Sequence, residues 1–184
     1  MARAKKQQQT PGDMIRSLAV ILLPLLAISF LLTRNLDDAP VTVVDWQPVL
    51  GQAREQSPYP VLAPTNLPKD WRATRATWVK AGDPYLNGAP AVRNTWQLGF
   101  LAPDDVYVEL DQGDLRSLDF IKDQTREGLP DGQSQVLGQA WERRVTQDER
   151  TRALVQTTAA VTTIVVGDTS YEALESYAAT LKAS

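Results

Sequence analysis

The sequence predicts an α+β fold, a mostly antiparallel sheet with helices packed on one face, preceded by one N-terminal transmembrane helix. Three observations predict it. An apolar run with no ionisable side chain extends from Leu18 to Leu32. With its flanks it is close to the length needed to cross a hydrocarbon core of roughly 30 Å at about 1.5 Å per residue. Downstream, apolar and polar residues alternate at period two, the pattern of a sheet with one wet face. Two such groups of strands each end in a stretch of helical period, which implies two packed layers.

Residues 1–14 read as a cytoplasmic tail, with Gln7, Gln8 and Gln9 in a row and no apolar period. Residues 15–33 form the span, and 34–40 link it to an extracytoplasmic α+β domain over 41–184. Orientation follows from Arg3, Lys5, Lys6 and Arg16 before the run and Asp37 and Asp38 after it, because basic flanks stay in the cytoplasm. A cleaved signal peptide shares that charge pattern but needs a small-residue exit, and Thr33-Arg34-Asn35-Leu36-Asp37 offers none. Pro24 kinks a lipid-embedded helix without breaking it. No charge within the run marks a proton or ion path, so the span reads as a passive tether in the lipid bilayer of a single-pass cell-membrane protein.

Val41 to Trp46 is β-branched and predicts a first strand; Pro48 to Gln56 predicts a short helix with proline in its first turn. Pro58, Pro60, Pro64 and Pro68 then dictate an extended crossing segment. Trp71 to Lys80 and Thr95 to Leu101 predict a hairpin around a tip dense in turn residues. In the next strand Val106, Val108 and Leu110 alternate with Tyr107, Glu109 and Asp111. Asp114 is expected to cap a helix carrying Leu115, Leu118 and Ile121, closed by Gly128. The second half repeats the order, with strands near 134–137, 140–146, 153–158 and 161–166. A last helix follows, with a Thr169/Glu172 capping box and a stripe of Tyr171, Leu174, Ala178 and Leu181.

Composition bounds the chemistry. Histidine and cysteine are both absent, which removes Ser-His-Asp and Cys-His nucleophiles, the usual zinc sites, disulfides and lipid attachment at cysteine. Four of the 19 basic residues and one of the 22 acidic ones precede the span, leaving 15 against 21 and a net charge of about −6. Such a surface repels phosphate backbones, so nucleic acid is excluded as a partner. Asp104, Asp105, Glu109, Asp111 and Asp114 cluster in sequence, but their spacing lacks the ligand ladder of a calcium loop, and solvated acids with one helix cap account for them. No catalytic, cofactor or metal residue is assigned, and the chain does not read as an enzyme.

Candidate partner-binding residues are Trp78, Tyr85, Arg143 and Arg144. Of the five tryptophans, Trp78 alternates opposite to Trp71 and is expected to be exposed beside Arg75 or Lys80, whereas Trp46, Trp71, Trp96 and Trp141 read as sheet core. Tyr85 lies in the hairpin tip. Arg143 and Arg144, with Arg150 and Arg152, flank a turn and are either a solvated loop or a contact for an acidic partner or anionic wall polymer.

Several blocks occur in order: Asp13-Met14 with Ser17-Leu18, Asn66-Leu-Pro-Lys-Asp-Trp71, Trp96-Gln-Leu-Gly-Phe-Leu-Ala-Pro103, Tyr107-Val-Glu-Leu-Asp-Gln112 and Thr163-Ile-Val-Val-Gly167 leading into Leu174 to Leu181. Together they resemble an actinobacterial family of single-pass membrane-anchored proteins catalogued as a domain of unknown function. The resemblance implies a cell-envelope protein with its domain outside the membrane and supplies no activity. Two expectations follow for function. One is a non-enzymatic module that binds a membrane-protein or envelope partner as a sensor or accessory subunit. The other is a lipid or small-ligand carrier. A cavity of at least roughly 300 Å³ between sheet and helix favours the carrier; a filled core with an exposed aromatic patch favours the partner.

Overall fold

The computed structural model describes residues 11–33, 41–84, 88–115 and 118–183. The readings of the tail through Thr10, of the linker 34–40 and of Tyr85 lie outside the described residues. The chain divides after Val41 into two units.

In the first unit, helix α1 runs from Pro11 to Thr33. It starts four residues ahead of the expected Ile15, because proline, with its fixed φ and missing N–H, suits a first helical turn. The stretch Met14–Leu31 has a mean hydropathy of 2.3, none of it is buried, and it is long and apolar enough to cross a membrane.

The second unit is built on a seven-stranded antiparallel sheet, as its alternating pattern requires. Helix α2 (Gln47–Gln56) and a short strand β1 (Leu62–Pro64) precede it. Strands β2 (Arg72–Val79), β3 (Thr95–Leu101) and β4 (Tyr107–Gly113) form one meander and lead into α3 (Leu118–Gln124). Strands β5 (Leu129–Val136), β6 (Gln139–Val145), β7 (Arg152–Thr157) and β8 (Thr162–Gly167) form a second and lead into α4 (Tyr171–Ala178) and β9 (Leu181–Ala183). The order β2-β3-β4-β8-β7-β6-β5 joins the two meanders through an antiparallel β4–β8 pair, and β1 pairs with β9.

Period two sorts the strand residues onto two faces. Trp96, Leu98, Phe100, Val108, Leu110, Leu154 and Val165 meet Leu50 and Ala53 of α2 and Leu174, Tyr177 and Ala178 of α4 in the main core. Ala153, Val155, Ile164 and Val166 meet Phe120 and Ile121 of α3 in a smaller core. Thus α2 and α4 share the expected helical face, while α3 covers the other. The reason is legible in β8, where all six residues are buried: a strand apolar on both sides needs cover on both.

Other differences have local causes. Residues 41–46 form no regular strand, although the Val44 N–H donates to the Ala73 carbonyl at 2.8 Å. Asp114 caps no helix; its carboxylate accepts from the backbone and side-chain amides of Asn94, and Leu115 sits at φ 60°, outside helical space. The last helix is capped by Ser170, which accepts from the Ala173 N–H at 3.3 Å, rather than by Thr169. Leu181 lies beyond that helix, opposite Pro64. Trp78 faces the main core with Trp71, because a bulge between Ala73 and Arg75 shifts the alternation by one residue.

Candidate functional site

The proline-rich segment between α2 and β2 is a strap, and its polar anchors explain its course. Proline removes ladder donors, so beyond the short β1–β9 pairing the strap is held largely by side chains. Gln112, fully buried, accepts from the Leu62 N–H at 2.7 Å and donates to the Pro60 carbonyl at 3.3 Å and to Thr163 Oγ1 at 3.2 Å. Trp96 Nε1 donates to the Leu62 carbonyl at 3.0 Å, and the Tyr59 hydroxyl to the Gln112 carbonyl at 3.2 Å.

Beyond those anchors, where Leu67 packs against the main core, the strap borders an apolar pocket of about 530 Å³. Its walls are Leu67, Pro68 and Trp71 of the strap, Ala102 to Asp104 with Val106 of the β3–β4 turn, Val108 of β4, and Ala173, Ser176, Tyr177 and Thr180 of α4 and its exit, with Thr169 before that helix. The turn is held by the Ala102 N–H bonding to Val106 O at 2.9 Å and by Asp105 at φ 60°. Trp71 stacks on Tyr177 with centroids 5.7 Å apart and planes 13° apart, and both rings lie against Phe100. The Tyr177 hydroxyl is buried without a hydrogen-bond partner. Burial, then the nearby Tyr107, Asp111 and Glu109, push its pKa up, so the phenol stays neutral. Among the described residues no lysine or arginine lines this pocket. Ser176 Oγ donates to the Glu172 carbonyl at 2.8 Å and Thr180 Oγ1 to the Tyr177 carbonyl at 2.7 Å. Their lone pairs, the Thr169 hydroxyl and the Asp104 carboxylate make up the polar portion of the lining.

A polar layer lies on the opposite face, under α3. Asp111 is fully buried; Gln97 Nε2 donates to its Oδ1 at 2.8 Å, while Oδ2 has no partner. Glu109, two residues before it on the same face, pairs with Arg75 at 3.0 Å. Burial first, then Glu109, raises the Asp111 pKa well above the usual carboxylate range. For Glu109, burial raises the pKa against the opposing pull of Arg75. Two carboxylates invite a hydrolytic reading, but the neighbouring hollow of about 400 Å³ is lined by Arg75, Gln97 and Gln124, not by either acid. Among the described residues no three acids, histidines or cysteines form a metal-binding group. Asp105 pairs with Arg72 at 2.9 Å, well apart in role from Asp111 and Asp114.

The sequence-predicted residues do not converge. Trp78, on β2, donates from Nε1 to Gln56 Oε1 at 3.0 Å and meets Tyr59 edge-on. Arg143 and Arg144 are neighbours on β6, separated from β2 by β3, β4, β8 and β7. Arg143 pairs with Glu175 at 2.7 Å, donates from Nε to Ser134 Oγ and lies 4.6 Å over the Tyr171 ring. Hydrogen bonds from Ser134 and Arg143 hold the Glu175 carboxyl below its usual pKa. Arg144 pairs with Glu142 at 2.8 Å and donates to the Gly128 carbonyl at 3.0 Å. The pocket walls went unread because each is an ordinary strap, turn or helix residue. The available signal was Ala173 with Ser176, small residues on the outward side of an otherwise core-facing helix.

No curated protein matches the chain. Solved structures similar to the chain, at 15% identity, include the crystal structure of MucB in complex with MucA(peri), at a TM-score of 0.37, and the complex structure of Pseudomonas aeruginosa MucA/MucB, at 0.36. Each likeness covers 66% of this chain and 36% or 34% of the other, so the chain spans about a third of their length. A family match is far more extensive, running over residues 6–181. The chain therefore belongs to the family described as "Protein of unknown function (DUF4245)".

Proposed function

We propose that the chain is a single-pass, membrane-anchored, non-enzymatic binding protein of the actinobacterial cell envelope, whose extracytoplasmic body takes an apolar ligand into the pocket between strap, β3–β4 turn and α4. The observation that carries this reading is the pocket itself, about 530 Å³ with largely apolar walls, within the size range of small-molecule sites. Supporting it, Trp78, Arg143 and Arg144 are engaged in internal contacts. The missing imidazole and thiol groups support binding rather than catalysis. A helix in the bilayer also keeps the body at high local concentration over membrane lipid.

A second reading, docking of a membrane or envelope partner, is favoured by one observation: Val92, Leu115 and Leu118 are 61 to 80% exposed, and Leu115 is held at φ 60°.

The test uses the full chain in nanodiscs with a photoactivatable alkyl-diazirine probe, crosslinks being mapped by peptide mass spectrometry. The expected result is labelling within 67–71, 102–108 and 173–180, abolished by Ala173→Trp, which fills the pocket from an exposed position. Labelling confined to α1, or unchanged by Ala173→Trp, defeats the proposal.

A further inference from the structure

We propose that α3 is a proton-gated lid: it stays seated on the sheet while Asp111 carries a proton and lifts when that proton is lost. The device is independent of the apolar pocket, whose Trp71, Val108 and Tyr177 belong to the core on the opposite face.

The argument starts from one oxygen. Asp111 is fully buried, and the hydrogen bond from Gln97 serves its Oδ1, leaving Oδ2 enclosed without a partner. A charged oxygen held dry with no donor is costly, and a proton removes the charge. The groups around it do not supply a cation. Arg75, on β2, is spent on Glu109 at 3.0 Å and on Gln97 Oε1 at 2.7 Å. Glu109 and Tyr107, on β4, and Asp123, on α3, bring acids and a neutral phenol. Arg126, just past α3, donates to Asp168 and Thr151, and Arg93, ahead of β3, lies 5.0 Å over the Phe120 ring. On β8 the residue opposite Asp111 is Ile164, and across the sheet the nearest titratable group is the Tyr177 phenol. Burial and the Glu109 charge accordingly hold the Asp111 carboxyl above its ordinary range.

Water reaches Oδ2 only by displacing a wall, and one wall is weaker than the rest. Asp111 sits within seven paired positions of β3–β4 and six of β4–β8. Its cover, α3, has seven residues. Phe120 and Ile121 seat it on the smaller core, and Gln124 Oε1 meets Gln97 Nε2 at a long 3.4 Å. Leu115 before it and Arg126 and Glu127 after it hold positive φ, strain that a lifted helix relaxes. Beside Gln124 the hollow of about 400 Å³ already reaches the edge of the layer. A lifted Asp111 titrates near the ordinary value of about 3.9 and a seated one higher, so seating is most favoured below that value and weakens as pH rises through the seated pKa. Lifting uncovers Ala153, Val155, Ile164 and Val166, which turns pH into the presence or absence of an apolar surface.

Hydrogen exchange by mass spectrometry on the full chain in nanodiscs, from pH 5 to pH 8.5 and corrected for the intrinsic chemical rate, reads the lid directly. The opening constant of the peptide over 118–127 is expected to rise at least tenfold across that range, while β4 and β8 amides stay protected at every pH. Asp111→Asn, which keeps an acceptor for Gln97 and cannot ionise, is expected to flatten the profile at its low-pH level. Infrared spectroscopy adds a readout in the wild-type fold: a carboxylic-acid C=O band at pH 5.5 that is missing from Asp111→Asn. A flat wild-type profile, a rise that survives Asp111→Asn, a rise shared equally by β4 and β8, or the absence of that band overturns the proposal.

Discussion

Gln112 does more than its place in an alternating strand suggests. On sequence it is one polar residue after Asp111; in the fold it ties strap, β4 and β8 together through three side-chain bonds. Gln112→Leu is expected to leave the Leu62 N–H and Pro60 carbonyl without those partners and to lower unfolding stability by about 2–4 kcal/mol, read from urea denaturation. Asp111 shows why a strand pattern misleads: its alternation marks a wet face, but α3 and its flanking side chains cover that face, an arrangement no local period encodes. Because burial raises its pKa above the unfolded value of about 3.9, the folded chain binds more protons than the unfolded one. Stability linked to this group is full below that value and falls as pH rises through the folded pKa. Asp111→Asn keeps an acceptor for Gln97, so the urea midpoint is expected to rise at pH 8 and hardly move at pH 4. Leu115, at φ 60° and 61% exposed, is strained in a region that L side chains avoid at roughly 1–2 kcal/mol. Leu115→Gly is expected to raise the thermal midpoint, the relief outweighing glycine's added entropy in the unfolded chain.

Strands were more legible than helices and turns at the level of elements. β3 falls at the expected residues, and β4, β6, β7 and β8 within two, because each carries an apolar alternation or an apolar run bounded by turn residues. α3 is shorter than its apolar period implied, since Leu115 precedes it at φ 60° and Arg126 and Glu127, at φ 54° and 62°, end it before Gly128. β5 begins earlier than expected, taking up Pro130 and Gly132 through a bulge on an edge strand. Close approach rather than turn chemistry fixes one glycine: a Cβ on Gly167 meets the Tyr107 carbonyl oxygen at 2.8 Å, across the β4–β8 pair that joins the two meanders. Gly167→Ala is expected to cost about 1–3 kcal/mol by calorimetry, more than Gly51→Ala, where the added methyl meets open space within α2.

At the scale of the molecule, the α+β class and the apolar helix were readable from composition and period, whereas the pocket was not. Its walls come from positions as far apart as Leu67 and Thr180, and only the folded topology brings them together. Residues 42–184 share a sheet whose two cores lie on either side of the same strands. They are expected to unfold in one two-state transition, with calorimetric and van't Hoff enthalpies equal at about 100 kcal/mol for a body of this length. The β1–β9 ladder sets how that body responds to tension. Leu62 lies opposite Ala183 and Pro64 opposite Leu181, and Leu62 is held on its other side by Gln112 and Trp96, so a pull on the C-terminal side of β9 loads the Ala183 end of the ladder first. The rungs then open in succession, as a zipper does, and the tail peels away under a small force while the large sheet stays whole.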